Sequence, residues 1–478
     1  MKQLRKNILR VAMCLCALFV LLAGYGAYSI ATQGGRWFAS GANTFARTQK
    51  KNVIPGDVYD RNGVTLATVS DGKRVYQANE TARRAVVHLL GDTANNVNNG
   101  VESFMARYLY GFEMGFTERL AAALRGEKRR GDNVTLTVDS ALASYVASQF
   151  PAGKAGAVVV MNYRTGEVLT QQSFPNFDPQ AVTQAVKDDA QKPFYNRAVQ
   201  GLYAPGSTFK IITAVSALEN LSQAQTRAFQ CTGQLQLGNR LITDAGTNLA
   251  EGKITQHGQL TLLRAFQVSC NNTFAQIALE LGDEKLKKTA EAFGFNDNFL
   301  FRDLVVENSS YPTENRSDGE IAWTGAGQSA LTATPLHMCM AAAAVANDGV
   351  MMEPRMLKAA VAQNGKVRAR FAPKAYRTAM TAEQAQTIRE YMRAAVTGGT
   401  GRAAGVSGVK VCGKTGSAEV DTQAETNAWF VGFLDEADAP YALAIVVENA
   451  GGGGSVAAPL AQKVFTWLLD NGDGSEAP

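Results

Sequence analysis

The chain carries little of what several kinds of chemistry require. It has only three histidines, His88, His257 and His337, and no two of them stand at a ligand-pair spacing, so they read as structural or surface residues. Of its six cysteines, Cys14 and Cys16 fall in an apolar stretch near the N-terminus. Cys231, Cys270, Cys339 and Cys412 are widely spaced, with no Cys-x-x-Cys pair of the kind that holds zinc. The expectation is no metal and no cofactor, and thiols that are free and mostly buried, with room for a single bridge in an exported protein. Gly451 to Gly454 follow a strand-like run but lack the lysine and helix start of a phosphate loop, so they read as a flexible rim. Charge of one sign is also missing: 47 Lys and Arg stand against 42 Asp and Glu, a net +5. With no long basic run and no aromatic-interleaved stripe, nucleic acid is excluded as a partner. Neither repeats nor low-complexity segments dominate the 478 residues, which suffice for one large domain and a smaller one.

What is present begins at the N-terminus. Lys2, Arg5, Lys6 and Arg10 precede Val11 to Ala31, a stretch without a charge. At about 1.5 Å per helical residue it is long enough for a hydrocarbon core of roughly 30 Å. The basic residues before it predict a cytoplasmic tail over 1–10, a transmembrane signal-anchor helix over 11–31, and export of everything that follows. A cleaved signal peptide, with Ala23, Gly24, Gly26 and Ala27 near the cut, competes with the anchor, and the apolar run is longer than such peptides need. Both readings export the chain.

Val58 and Tyr59 lead into the polar turn Asp60-Arg61-Asn62-Gly63 and return through Val64 to Ala67, the pattern of a hairpin. Thr81 to Glu127 read as short helices too slight for an active site of their own. Residues 50–130 are thus a pedestal, and near Gly131 the pattern changes and a second domain over 131–470 begins. Ala155 to Met161 and Glu167 to Gln171 read as paired strands; Val409 to Thr415, Ala428 to Leu434 and Tyr441 to Glu448 read as three more. The simplest assembly is an α/β (α+β) fold. One antiparallel sheet is drawn from both ends of the domain, a largely helical middle covers it, Val456 to Asp470 form a closing helix, and 471–478 are a tail.

Three short motifs carry chemistry. Pro205 and Gly206 turn the chain into Ser207-Thr208-Phe209-Lys210, after which Ile211, Ile212, Val215 and Leu218 mark a core-facing helix. A serine at that helix start meets the positive end of the dipole, and a lysine one turn on can reach its hydroxyl. To act as a base near neutral pH the lysine must fall from about 10.4 toward about 7, roughly 4–5 kcal/mol against its charged form, from burial and a second cation. Lys414 is the expected second cation. Ser269-Cys270-Asn271 offers a hydroxyl to pass a proton and an amide to hold a carbonyl. Lys414-Thr415-Gly416 lies on a strand whose lysine and threonine suit a terminal carboxylate and whose glycine admits a substrate backbone. A Ser-x-x-Lys occurs about once by chance in a chain this long, and each of the others alone is an ordinary turn. Their ordered set is not.

In that set, and in Ile54 to Ala67, Phe194 to Ala198, Gly325 to Gln328, Thr334 to Leu336, Gly399 to Gly401 and Trp429 to Phe433, the sequence resembles the class B penicillin-binding proteins, monofunctional peptidoglycan D,D-transpeptidases. It departs from them at Pro55, where the family commonly has arginine. Cys270 also replaces the aspartate of the Ser-Asp-Asn form known in related β-lactamases. The resemblance spans residues 50 to 470 and implies a penicillin-binding transpeptidase / serine β-lactamase-like fold, with a five-stranded antiparallel sheet between helices and a dimerisation-like pedestal. It implies that Ser207 attacks the D-Ala-D-Ala bond of a stem peptide and that an amine of a neighbouring stem resolves the acyl-enzyme. Lys210 and Ser269 are the other catalytic residues, Asn271, Lys414, Thr415, Gly416 and Ser417 bind substrate, and the N–H groups of Ser207 and Ser417 form the oxyanion hole. β-Lactams would acylate Ser207, and a SEDS-family membrane glycan polymerase is the implied partner. A D,D-carboxypeptidase or serine β-lactamase on the same fold competes with this reading, as does a non-catalytic β-lactam sensor or scaffold.

Overall fold

The computed structural model describes residues 2–39, 53–92, 100–115, 128–312, 316–419 and 426–472, with 94, 96, 97, 118, 120, 124 and 126 between them. The stretch 40–52, most of the expected helical segment beyond Gly115, and the tail after Gly472 lie outside the described residues. The N-terminal helix runs Lys2–Ala39, taking in the basic residues expected to form a separate tail. Within it Gln3–Ser29 is long and apolar enough to cross a membrane.

The hairpin forms as expected, with strand Val58–Tyr59 antiparallel to Thr65–Ser70 and Val58 opposite Ala67. Its turn is held by Asp60, whose Oδ1 accepts from the N–H groups of Asn62 (2.9 Å) and Val64 (2.8 Å). Its Oδ2 accepts from the Ser140 hydroxyl (2.6 Å), fixing the turn to helix Ser140–Gln149. A two-stranded ribbon is marginal alone in water, and here it is built into a larger sheet. The order is Val367–Ala369, Leu357–Val361, Asn133–Leu136, Val58–Tyr59, Thr65–Ser70, Lys73–Tyr76. Strands from both sides of the expected division at 131 therefore share one sheet, and Val58 pairs in parallel with Val134. Short helices Glu80–Ala85, Val87–Leu90, Val101–Phe104 and Ala106–Leu109 follow the hairpin.

The central sheet is antiparallel and five-stranded, in the order Val411–Ala418, Asn427–Leu434, Tyr441–Val447, Gly156–Asn162, Val168–Phe174. Strands Gly156–Asn162 and Tyr441–Val447 read as nearly unbroken apolar runs because both faces are covered. Alternation along a strand divides them between two cores. Ala157, Val159 and Met161 pack with Leu336, Met338 and Ala342 of helix Pro335–Ala346, which is buried from Pro335 to Val345. Val158 and Val160 pack with Leu142, Val146, Val464, Phe465 and Leu468 of helices Ser140–Gln149 and Ala457–Asn471. Each such aliphatic side chain contributes about 1.5–3 kcal/mol on full burial. The middle of the chain is helical as expected, but it also carries three small antiparallel pairs, Phe229–Cys231 with Gly258–Leu260, Gln234–Leu237 with Arg240–Thr243, and Val350–Met352 with Ala375–Thr378.

Candidate active site

Ser207 does not open the α-helix itself. It lies in a 3-10 turn, Gly206–Phe209, and helix Lys210–Asn220 follows directly. Tight backbone packing sets the turn: the Gly206 N–H donates to the Gly327 carbonyl (2.9 Å). A Cβ on Gly327, whose φ is +90°, would lie 1.7 Å from the Gly206 carbonyl oxygen, so only glycine fits beneath the serine turn. Gln328 next to it donates from Nε2 to the Ser417 carbonyl (3.2 Å), joining the turn to the edge strand of the central sheet.

Ser207, Ser269, Asn271, Thr415, Gly416 and Ser417 line one cleft of about 430 Å³. Lys210 and Lys414 lie beneath it with no exposed surface. All eight residues expected to form a site are thus brought together. Ser269 ends helix Leu262–Val268 in the left-handed conformation, φ +60°, and Cys270 then caps helix Asn271–Ala292. That reversal aims the Ser269 hydroxyl at both lysines. Lys414 Nζ donates to Ser269 Oγ (2.8 Å) and to the Thr415 carbonyl (3.0 Å). Lys210 Nζ donates to the Ser269 carbonyl (2.7 Å), Ser269 Oγ (3.2 Å) and Asn271 Oδ1 (2.7 Å). Among the described residues it makes no hydrogen bond to Ser207, the contact anticipated from the one-turn spacing.

Both lysines lose affinity for their protons. Burial pushes Lys210 down to about 8, against the upward pull of Cys270 and Asp244. Burial and the charge of Lys210 together push Lys414 well below the usual lysine range. Cys270 and Asp244 pull against the burial of Lys210, whereas the charge of Lys210 adds to the effect of burial on Lys414.

The cleft is also lined by Thr243, Trp323, Glu419 and Thr426, which belong to no motif, and by Thr400. Thr400, within the Gly399 to Gly401 stretch, shares a hydrogen bond with Thr415 between their hydroxyls (2.6 Å), so a family-like segment gave a signal there. Gly454 also lines the cleft, at the rim assigned to the glycine run. Asp244 gave no signal. Its Oδ1 accepts from the N–H groups of Asn271 (2.5 Å) and Asn272 (3.2 Å), placing a carboxylate at the start of helix Asn271–Ala292, where the dipole favours it. Around its other oxygen stand Cys231, Cys270 and His257, so His257 is not the isolated residue its spacing suggested.

Comparison with known proteins fits this geometry. Residues 156–466 match the penicillin binding protein transpeptidase domain. The chain is 30% identical over 381 residues to the peptidoglycan D,D-transpeptidase PbpA of Mycolicibacterium smegmatis, covering 75% of this chain and 76% of that protein. It is 32% identical over 387 residues to the peptidoglycan D,D-transpeptidase MrdA of Acinetobacter baumannii, covering 72% of this chain and 55% of MrdA. A ceftriaxone acyl-enzyme complex of penicillin-binding protein A from M. tuberculosis superposes with a TM-score of 0.79 at 25% identity, over 88% of this chain and 99% of that one. Having the motifs in one cleft, the five-stranded sheet behind them and a family match over most of its length, the chain belongs to the penicillin-binding transpeptidases, as a class B D,D-transpeptidase.

Proposed function

We propose that this chain cross-links peptidoglycan stem peptides through an acyl-enzyme on Ser207. The observation that carries this reading is the hydrogen-bonded chain Lys210, Ser269, Lys414 buried directly under the cleft that Ser207 lines. Lys210 as the free amine takes the proton when Ser207 Oγ attacks the carbonyl of the D-Ala-D-Ala bond. The backbone N–H groups of Ser207 and Ser417 receive the oxyanion, each such donor being worth roughly 2.7–4 kcal/mol in the transition state. Ser269 relays the proton to the departing D-alanine amine. Asn271 holds the donor peptide, and its amide is already oriented by Lys210 and by donation from Nδ2 to the Thr243 carbonyl (2.8 Å).

Lys414, Thr415 and Gly416 receive the terminal carboxylate and the donor backbone. A carboxylate docked there favours charge on Lys414 and, by repulsion between two buried ammonium groups, its loss from Lys210. Substrate binding thereby produces the base that attack requires. An amine from a second stem then displaces Ser207, and transfer rather than hydrolysis agrees with the relatives' names as D,D-transpeptidases. β-Lactams present their ring amide carbonyl to the same serine.

Helix Lys2–Ala39 anchors the chain, with Lys2, Arg5, Lys6 and Arg10 on the cytoplasmic side and the catalytic domain outside; the excess of basic residues before the span supports this orientation. Residues around 50–130 act as the pedestal, the surface offered to a SEDS-family glycan polymerase. This partner rests on the family resemblance alone. The test of the reaction is incubation of full-length protein with a pentapeptide stem and an acceptor amine, assayed for D-alanine and for the cross-linked product. Equal yields of both support transfer; D-alanine without cross-link assigns the site to a carboxypeptidase.

A further inference from the structure

Among the described residues, two acidic side chains and no basic one line the cleft, Asp244 and Glu419, while Lys210 and Lys414 lie beneath it. Asp244 is buried, and its Oδ1 is occupied by the N–H groups of Asn271 and Asn272. Glu419 is exposed, and among the described residues it makes no hydrogen bond or ion pair. An acidic side chain at the mouth of a site, bonded to none of its neighbours, is open to a cation from outside.

Its place on the chain indicates which cation. Thr415, Ser417 and Glu419 follow one another at two-residue spacing along and just past the edge strand Val411–Ala418, and all three line the cleft. Alternation puts them on one face, about 6.6 Å from one to the next. Thr415 serves the terminal carboxylate of the donor and the Ser417 N–H its scissile carbonyl. A donor so placed lies antiparallel to the strand, and beyond the bond to be broken its chain leads toward Glu419. The Ser417 hydroxyl is engaged, accepting from the Gly453 N–H (3.3 Å). Glu419 is therefore the first free side chain on this strand that meets the residue preceding D-Ala-D-Ala, and cross-strand neighbours with long side chains are within contact reach.

We infer that Glu419 selects the donor stem by pairing with an ammonium group on the side chain of the residue that precedes D-Ala-D-Ala. This rests on the proposed function, in which stems serve as donors and acceptors alike, so that a donor carries the same kind of amine that an acceptor uses. Lys414 and Glu419 then stand roughly 16 Å apart along the strand. They match a peptide end that is anionic at its terminus and cationic further up.

Glu419 acts by charge alone. A carboxylate is a weaker base than an amine by about six pKa units, so the ammonium keeps its proton and no bond is made or broken there. An amine already joined to another stem is a neutral amide and offers Glu419 no charge. The cleft thereby favours donors whose amine is still free. An ion pair at an exposed carboxylate is modest and screened by salt, so the preference is a matter of a few-fold.

The test uses full-length protein in detergent and three synthetic donors, with lysine, Nε-acetyl-lysine or glutamate before D-Ala-D-Ala and the last D-Ala replaced by D-thiolactate. Attack by Ser207 Oγ forms the ester and breaks the C–S bond, and the serine proton leaves with the thiol. Thiol release thus reports acylation whatever later resolves the ester. In the wild type, kcat/KM for the lysine donor should exceed that for the acetyl-lysine donor about three- to fivefold at low salt and approach it at high salt. Glu419→Gln should level the two, and Glu419→Lys should turn the preference toward the glutamate donor. Glu419 is exposed, so both variants keep the fold. A wild type indifferent to the charge of the donor, or a lysine preference that Glu419→Gln retains, would overturn the inference. So would a dependence on Glu419 that follows the charge of an added acceptor amine and not that of the donor, read from the ratio of transfer to hydrolysis. Acylation by benzylpenicillin, measured alongside, separates the two levels. An adduct on Ser207 without donor preference overturns this inference alone, and no adduct overturns the Ser207 reading together with it.

Discussion

Raising the pH should speed acylation of Ser207 along a single limb set by Lys210. Its ammonium, buried beneath the cleft, releases its proton near pH 8 instead of 10.5. The reactive fraction of free amine is then roughly 1% at pH 6, 10% at pH 7 and 90% at pH 9, from the ordinary titration relation. The second-order rate constant for benzylpenicillin, from stopped-flow or timed intact-mass measurements, should therefore rise about 100-fold between pH 6 and 9.5 and level off. Lys210→Met should remove the limb and lower the plateau about 10²–10⁴-fold, the usual range for loss of a general base. A flat wild-type profile, or a limb still climbing at pH 10, would refute the assignment of Lys210 as a base tuned by burial. The same displacement has a stability counterpart. Between pH 8 and 10.5 the unfolded chain binds the extra proton, so stability rises with pH through that window. The wild type should gain on Lys210→Met by about 3 kcal/mol across it, measured by denaturant unfolding.

Ser269→Ala deletes the hydroxyl that bridges the lysines, and acylation should slow at least about 10²-fold with little change in Tm. Gly327→Ala forces a Cβ into the Gly206 carbonyl at positive φ; a loss of roughly 2–4 kcal/mol in thermal unfolding, with acylation falling alongside, is expected. Glu448→Ala strips the partner from the buried Arg197 guanidinium (2.7 Å) and from the Tyr203 hydroxyl (2.7 Å), at a cost of about 3 kcal/mol by calorimetry. Thr415→Val should raise KM for a peptide ending in a free carboxylate more than for its amide, a difference that steady-state kinetics would expose.

How much of this was legible in the sequence depended on how local each signal was. The central sheet could be read because Gly156–Asn162 and Tyr441–Val447 are strands covered on both faces, whose apolar runs need no partner to be recognised. The catalytic groups could be read because each motif places its side chains within four residues on one turn or strand. The boundary at 131 had no such signal. Strand Asn133–Leu136 has only four residues, and its partner Leu357–Val361 stands more than two hundred positions later, so only the fold reveals that they share a sheet with the hairpin. The cluster of Cys231, Asp244, His257 and Cys270 carries no local signal, because its members stand thirteen residues apart along the chain. Converging loops, not a motif, bring them together.

The claim on which the rest depends is that Ser207 is the nucleophile. Full-length protein and its Ser207→Ala variant should be incubated with benzylpenicillin, followed by intact mass over time and mapped by peptide digestion. A lasting adduct on Ser207 in the wild type and none in the variant is the predicted result. An adduct elsewhere, or none on the wild type, would contradict the account, and rapid acylation followed by loss would make the protein a hydrolase of β-lactams.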